Sequence, residues 1–188
     1  ALLQTLRIRL HYLAGRRENR LLFDYQTTLA EQMYITATHT RRASEHLMQK
    51  YYRTKQAVQQ LNIVLMQNLR TYLFPAASII QPLNERFLIR DDLLEARDEK
   101  LFEREPSAIL ESFLLLTQHP PLSGFSAATL RALWRARQYI DAKFRRDKHN
   151  HALFMNLLCQ PQGLTQALRR MNHNGILGKY IPAFGHIV

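Results

Sequence analysis

The segment from Ser44 to Phe74 constrains this chain most, because it contains neither glycine nor proline. Its apolar residues recur mostly at spacings of three and four: Leu47, Tyr51, Val58, Leu61, Leu65, Leu69 and Tyr72. That spacing predicts an amphipathic α-helix of about 28 residues and roughly 42 Å, which we expect to stop at Pro75. Since the apolar positions do not keep a strict heptad, the sequence favours the spine of a helical bundle over a coiled coil.

Shorter helices are predicted on both sides of this spine. One ends at Ala14 with Gly15 as its C-cap, and a second is capped by Asp24. After the spine, helices are predicted to begin at Pro106 and at Ser126, the latter continuing through Phe144, and two more to end at Pro161 and at Asn174.

A change of pattern marks residues 76–97. Pro82 breaks any helix there, and two short apolar runs flank Asp91 and Asp92. Such runs around a two-residue turn predict a β-hairpin near residues 86–97, which must lean on helices because an isolated hairpin is marginally stable. The predicted fold class is therefore all-α or mainly α, an irregular helical bundle built on one long helix with a small β-hairpin.

The composition excludes several protein classes. Hydrophobic residues make up 46% of the 188 residues, which is too many for a disordered chain. No apolar run approaches the roughly 20 residues that cross a bilayer, and a single Cys cannot form an internal disulfide. We therefore expect no membrane and a reducing, cytoplasmic compartment. The chain opens inside an amphipathic pattern and closes on apolar residues, so we also expect a piece of a larger protein.

The net charge of +11 is unevenly distributed. Basic residues concentrate in residues 7–20, 41–55 and 131–148, whereas residues 85–105 are acidic. A basic surface can bind nucleotide phosphates, nucleic acid or an acidic partner, or it can be a set of solvated helix faces. Solvated faces are favoured for residues 131–148. For Arg16, Arg17 and Arg20 both interpretations stay open, because they lie on a short connection between helices.

The motifs of common active sites are missing from the sequence: a glycine-rich phosphate loop, a nucleophile elbow, HExxH and CxxC. His149 and His151 near Asp147 could ligate a metal, but a polar helix start explains them better. His11 is interpreted as a hydrogen-bonding residue at the edge of the core, and Cys159 as a small buried apolar group. We therefore predict no catalytic, cofactor-binding or metal-binding residue in this chain.

Six segments, in order along the chain, resemble the family of bifunctional uridylyltransferase/uridylyl-removing enzymes that act on the PII nitrogen-regulatory protein. They are residues 6–26, 51–54, 82–87, 106–111, 152–155 and 171–185. The most specific is MNHNGILGKYIPAFG at 171–185.

The resemblance implies a larger architecture than these 188 residues provide. The family has an N-terminal nucleotidyltransferase domain, a helical middle, an HD phosphohydrolase domain and two ACT domains. Its transferase moves UMP from UTP to a tyrosine of PII with Mg²⁺, its HD domain removes UMP by hydrolysis, and glutamine sets the direction. The Gly-Ser and Asp-x-Asp pattern of the transferase and the His-Asp doublet of the HD domain are both missing here. The resemblance thus implies a non-catalytic helical middle domain at 1–174 and a connector at 175–188 toward an HD domain.

Alternative interpretations stay open. In the first, Arg16, Arg17, Arg20 and Asp24 contact UTP phosphates or the transferase domain, or they hold the first two helices together. A second is a stand-alone basic helical module that binds nucleic acid or a protein partner, although its charge is spread over three segments without an evident helix-turn-helix or aromatic platform. A third is a purely structural or oligomerising bundle.

Overall fold

The computed structural model describes residues 1–74 and 78–185, and the chain is mainly α-helical, as predicted. It divides into two compact units, Ala1–Gln59 and the residues from Gln60 onward. None of the helices among the described residues is both long and apolar enough to cross a membrane.

The first unit is built on α1 (Leu2–Ala14), α2 (Phe23–Gln32) and the beginning of α3 (Ala43–Leu73). Gly15 ends α1 in the left-handed conformation at φ 61°, which confirms the predicted C-cap. All three helices contribute to one small apolar core, whose buried members are Leu6, Leu10, Leu29, Ala30 and Leu47.

The helix α3 is continuous over 31 residues, so the predicted long helix is confirmed. Its predicted stop at Pro75 lies outside the described residues. The predicted apolar face is buried only at its start, where Leu47 has no exposed surface. From Val58 onward the same face is exposed, so this half of the helix does not bury its stripe within the described residues.

The second unit contains a four-stranded sheet in the order β1 (Ile80–Pro82), β2 (Phe87–Arg90), β3 (Leu93–Ala96) and β4 (Gly124–Phe125). Strands β2 and β3 form the predicted hairpin, with Asp91 and Asp92 in its turn at φ 48° and 62°. A two-residue hairpin turn of type I′ requires positive φ at both of its central residues. Strands β1, antiparallel to β2, and β4, parallel to β3, were not predicted.

Helices of the second unit pack on this sheet and on one another. They are α4 (Leu101–Arg104), α5 (Ala108–Gln118), α6 (Ala127–Ala136), α7 (Ala142–Arg146), α8 (Lys148–Leu158), α9 (Leu164–His173), α10 (Leu177–Tyr180) and α11 (Pro182–Gly185). The core is centred on α5, where Phe113 is fully buried and meets Phe125 edge-on with ring centroids 5.1 Å apart. Such a pair contributes about 0.5–1.5 kcal/mol beyond its buried area, and it fixes β4 against α5.

The predicted helix from Ser126 through Phe144 is wrong in its second half. Ser126 caps α6 as predicted, with its hydroxyl 3.3 Å from the Thr129 amide nitrogen. A 3₁₀ turn then interrupts the helix, and Asp141 becomes the N-cap of α7 by accepting the Phe144 amide at 2.8 Å. The local Asp141 cap therefore overrides the continuous apolar spacing.

Candidate functional site

The loop between α1 and α2 carries the predicted arginines, and it is organised by a single acidic side chain, Glu18. One carboxylate oxygen of Glu18 accepts the backbone amides of Asn19 and Arg20 at 3.0 and 2.9 Å. The other lies 3.3 Å from an Arg16 guanidinium nitrogen. The Glu18 amide itself donates to Nδ1 of His11 at 3.0 Å, which ties the loop back to α1.

These bonds shift the ionisation of Glu18. The backbone hydrogen bond from Arg20 is the largest cause that lowers the pKa of the Glu18 carboxyl below 4.5, with the amide of Asn19 and the charge of Arg16 acting in the same direction. Only 12% of this side chain is exposed. The Glu18 carboxylate therefore bonds to backbone amides of its own loop and pairs with Arg16.

The three arginines of the loop differ in their contacts. Arg16 is paired with Glu18, although 70% of its side chain remains exposed. Arg17 and Arg20 are exposed and form no ion pair within residues 1–74 and 78–185. These two guanidinium groups therefore keep their fork of N–H donors available for an external carboxylate or phosphate.

Asp24 is not the cap of α2, so that part of the prediction is wrong. The N-cap is Leu22, which has extended backbone angles and no capping side chain, and Asp24 lies exposed within the first turn. The chain enters the helix through backbone contacts instead, as in the Leu22 amide donating to the Arg20 carbonyl at 2.9 Å. A carboxylate in this first turn still interacts favourably with the helix dipole.

Among the described residues, a polar contact between α1 and α2 comes from Arg9, and a contact between α1 and the loop comes from His11. Arg9 donates from α1 to the carbonyl of Gln32 at the end of α2, and His11 accepts the amide of Glu18. Neither Arg9 nor Glu18 was singled out from the sequence. Glu18 could have been identified from the sequence as the one acidic residue in the basic stretch 7–20.

A second surface feature lies on α3, where four apolar residues form a line along the helix. We name it the α3 stripe: Leu61, Leu65, Leu69 and Tyr72. Their exposed fractions run from 42% for Leu69 to 81% for Tyr72. The other face of the same half-helix is packed, with Val64 buried and the Gln67 amide donating to the Phe125 carbonyl at 3.0 Å. An exposed apolar line of this kind is a candidate interaction face.

The remaining candidates lie at the two ends of α8. Asp147 caps α8 by accepting the Asn150 amide at 3.0 Å, and His151 contacts the Arg145 carbonyl, as the helix-start interpretation implies. No group of three or more metal-ligating side chains occurs in the part of the chain that the structure describes. Cys159 is exposed rather than buried, because α8 ends at Leu158 and leaves the next residue at the surface.

Comparisons with known proteins cover nearly the whole chain. The family model described as GlnD PII-uridylyltransferase matches residues 1–66, and the one described as uridylyltransferase GlnD third domain matches residues 87–180. No solved structure matches the chain.

Curated relatives match it end to end. The chain is 56% identical over 187 residues to the bifunctional uridylyltransferase/uridylyl-removing enzyme of Nitrosospira multiformis, with 99% of this chain and 21% of the relative covered. It is 50% identical to the enzyme of the same name from Thiobacillus denitrificans and 48% identical to that of Ralstonia nicotianae, with 99% and 100% of this chain covered and 22% of each relative. The chain thus spans about a fifth of the length of these relatives. It belongs to the family of bifunctional uridylyltransferase/uridylyl-removing enzymes, which confirms the resemblance in its sequence.

Proposed function

We propose that this chain is the non-catalytic helical middle of a longer enzyme that transfers UMP from UTP to a tyrosine of PII and removes it by hydrolysis, in response to glutamine. The observation that carries the proposal is the 56% identity, over 99% of the chain, to a bifunctional uridylyltransferase/uridylyl-removing enzyme that is about five times longer. In this proposal the enzyme acts in nitrogen regulation in the cytoplasm, where its nucleotide substrate is found.

Within the longer enzyme, residues 1–174 would form the middle domain associated with the nucleotidyltransferase, and residues 175–188 would lead toward the HD domain. The two family models support a helical region with two parts, because they match residues 1–66 and 87–180 separately. No group of three or more His, Cys, Asp or Glu side chains that could hold a metal occurs among the described residues. In this proposal the Mg²⁺ that the transferase uses binds in another domain of the longer enzyme.

The α1–α2 loop is proposed to face the nucleotide or the transferase domain. Two observations support this proposal. Glu18 and His11 stabilise the conformation of the loop through hydrogen bonds. Arg17 and Arg20 remain exposed without an ion pair among the described residues. Charge-assisted bonds from such guanidinium groups to phosphates are about twice as strong as neutral ones. Arg16 would add charge to the same surface.

The α3 stripe is proposed to pack against the transferase domain. About four-fifths of the length of the matched relatives lies outside this chain, so the longer enzyme contains ample surface to cover an apolar line of this size. A helical scaffold that carries no chemistry can contribute by holding the reacting domain in place.

The loop proposal is tested in the full-length enzyme with the triple substitution Arg16→Ala, Arg17→Ala and Arg20→Ala. We expect the KM for UTP to rise about tenfold, corresponding to about 1.4 kcal/mol of lost binding. The matched control removes three exposed basic residues of the second unit: Arg131→Ala, Lys143→Ala and Arg146→Ala. An unchanged KM and rate in the loop variant would rule out a nucleotide-facing role, and equal losses in both variants would indicate a general charge effect.

A further inference from the structure

A cavity of about 480 Å³ lies within the second unit, and none of the α3 stripe residues lines it. It is bounded by the second half of α3, the ends of β3 and β4, and helices α6 and α9. Its volume is in the range of pockets that hold small molecules. The apolar part of its lining includes Ile63, Leu93 and Trp134, and its polar part includes Arg169 and Arg170.

Arg170 is the side chain that gives this cavity its chemistry. It is half-buried and donates to the carbonyl of Ser123 at 2.8 Å, yet it forms no ion pair within the described residues. Burial lowers the pKa of the Arg170 guanidinium, because desolvation disfavours its charged form and no carboxylate offsets it. The half-buried guanidinium has one carbonyl partner among the described residues, and its further N–H donors are suited to an anion.

The wall that carries Arg170 is held in place by its own hydrogen bonds. The Asn174 side chain accepts the indole N–H of Trp134 at 3.0 Å and donates to the Arg170 carbonyl at 2.9 Å. On the opposite wall, Gln67 donates to the Phe125 carbonyl at 3.0 Å, and Gln60 donates to the His173 carbonyl. These bonds join α3, β4, α6 and α9 around the cavity, so a ligand would meet a pre-formed site with little ordering cost.

We propose that this cavity binds a small anion, a carboxylate or a phosphate monoester, that carries a flat apolar group. The anionic group would be held by Arg170, with Arg169 adding charge at the exposed rim, and the apolar group would lie against Ile63, Leu93 and Trp134. This proposal does not depend on the proposed function, because every residue that it uses lies in the described part of this chain.

The test uses two anionic probes, phenyl phosphate and benzoate, and the neutral probe benzamide. Trp134 is the single tryptophan of the chain and lines the cavity, so its fluorescence responds to occupation of the cavity. We expect a saturable change with at least one anionic probe and about tenfold weaker binding in Arg170→Gln. The stronger of the two anionic probes identifies whether the site prefers a carboxylate or a phosphate.

Two controls make the result decisive. Trp134 also borders a second cavity, which Arg135 lines, so Arg135→Gln is the matched variant and should bind as the unsubstituted chain does. Calorimetric titration of the full-length enzyme with the same probes should give the same loss in Arg170→Gln. The proposal would be overturned if benzamide bound as tightly as the anions, or if Arg135→Gln lost as much affinity as Arg170→Gln. It would also be overturned if neither anion bound, or if binding disappeared in the full-length enzyme.

Discussion

At the scale of single residues, Glu18 governs the loop that carries the candidate arginines. Its pKa is lowered first by the Arg20 backbone hydrogen bond, so its stabilising effect is present above pH 4.5 and is lost as the pH falls through the lowered value. We expect the amide chemical shifts of Asn19 and Arg20 to titrate with a midpoint below 4.5, measured by NMR. In Glu18→Gln the same amides should not titrate in this range, and a midpoint at or above 4.5 would contradict the hydrogen bonding described.

Residue types indicated where the basic loop lies, but not how it is built. Arg16, Arg17 and Arg20 could be selected because a cluster of like charges on a short connection is visible in the sequence. The role of Glu18 could not, since its bonds to the following amides exist only in the folded loop conformation. The predictions for Asp24 and Cys159 were wrong for a related reason. Each depended on the exact residue at which a helix begins or ends, and a sequence pattern defines such a boundary only to within one or two residues.

At the scale of elements, the β2–β3 turn offers a matched pair of substitutions. The Asp92 backbone has φ 62°, so Asp92→Gly relieves left-handed strain, and we expect the free energy of unfolding to rise by about 0.5–1 kcal/mol. Asp91→Gly relieves similar strain but loses the carboxylate that accepts the Ile79 amide at 2.9 Å, so it should be neutral or destabilising. Urea denaturation of both variants measures the difference, and a larger gain from Asp91→Gly would contradict this account.

Elements with strong local signals could be predicted, and elements created by packing could not. The α3 helix has a long uninterrupted apolar spacing, and the hairpin has two runs around an acidic turn, so both are visible in the sequence. Strands β1 and β4 are two or three residues long and exist because neighbouring backbone groups pair with them. The interruption between α6 and α7 likewise depends on the local Asp141 cap, which competes with an apolar spacing that would suit one helix.

At the scale of the whole molecule, the exposed α3 stripe leads to a prediction for the 188-residue chain alone. We expect the chain to self-associate through this exposed apolar surface, and the substitutions Leu61→Gln, Leu65→Gln and Leu69→Gln to reduce the association, as measured by sedimentation velocity. Glutamine and leucine are both good helix formers, so α3 itself should persist. The control replaces the same three leucines with methionine and should associate as before; a monomer in every case would contradict self-association through the stripe.

The continuity of α3 has an evolutionary consequence. Each residue of an α-helix turns the chain by about 100° and advances it by about 1.5 Å. Deleting one residue between Gln60 and Val64, which are both buried on α3 within the second unit, would therefore rotate one of these residues a quarter-turn or more away from the other. An insertion of seven residues, close to two full turns, would restore the phase to within about 20°. Length changes in this part of the helix should consequently be confined to such periods.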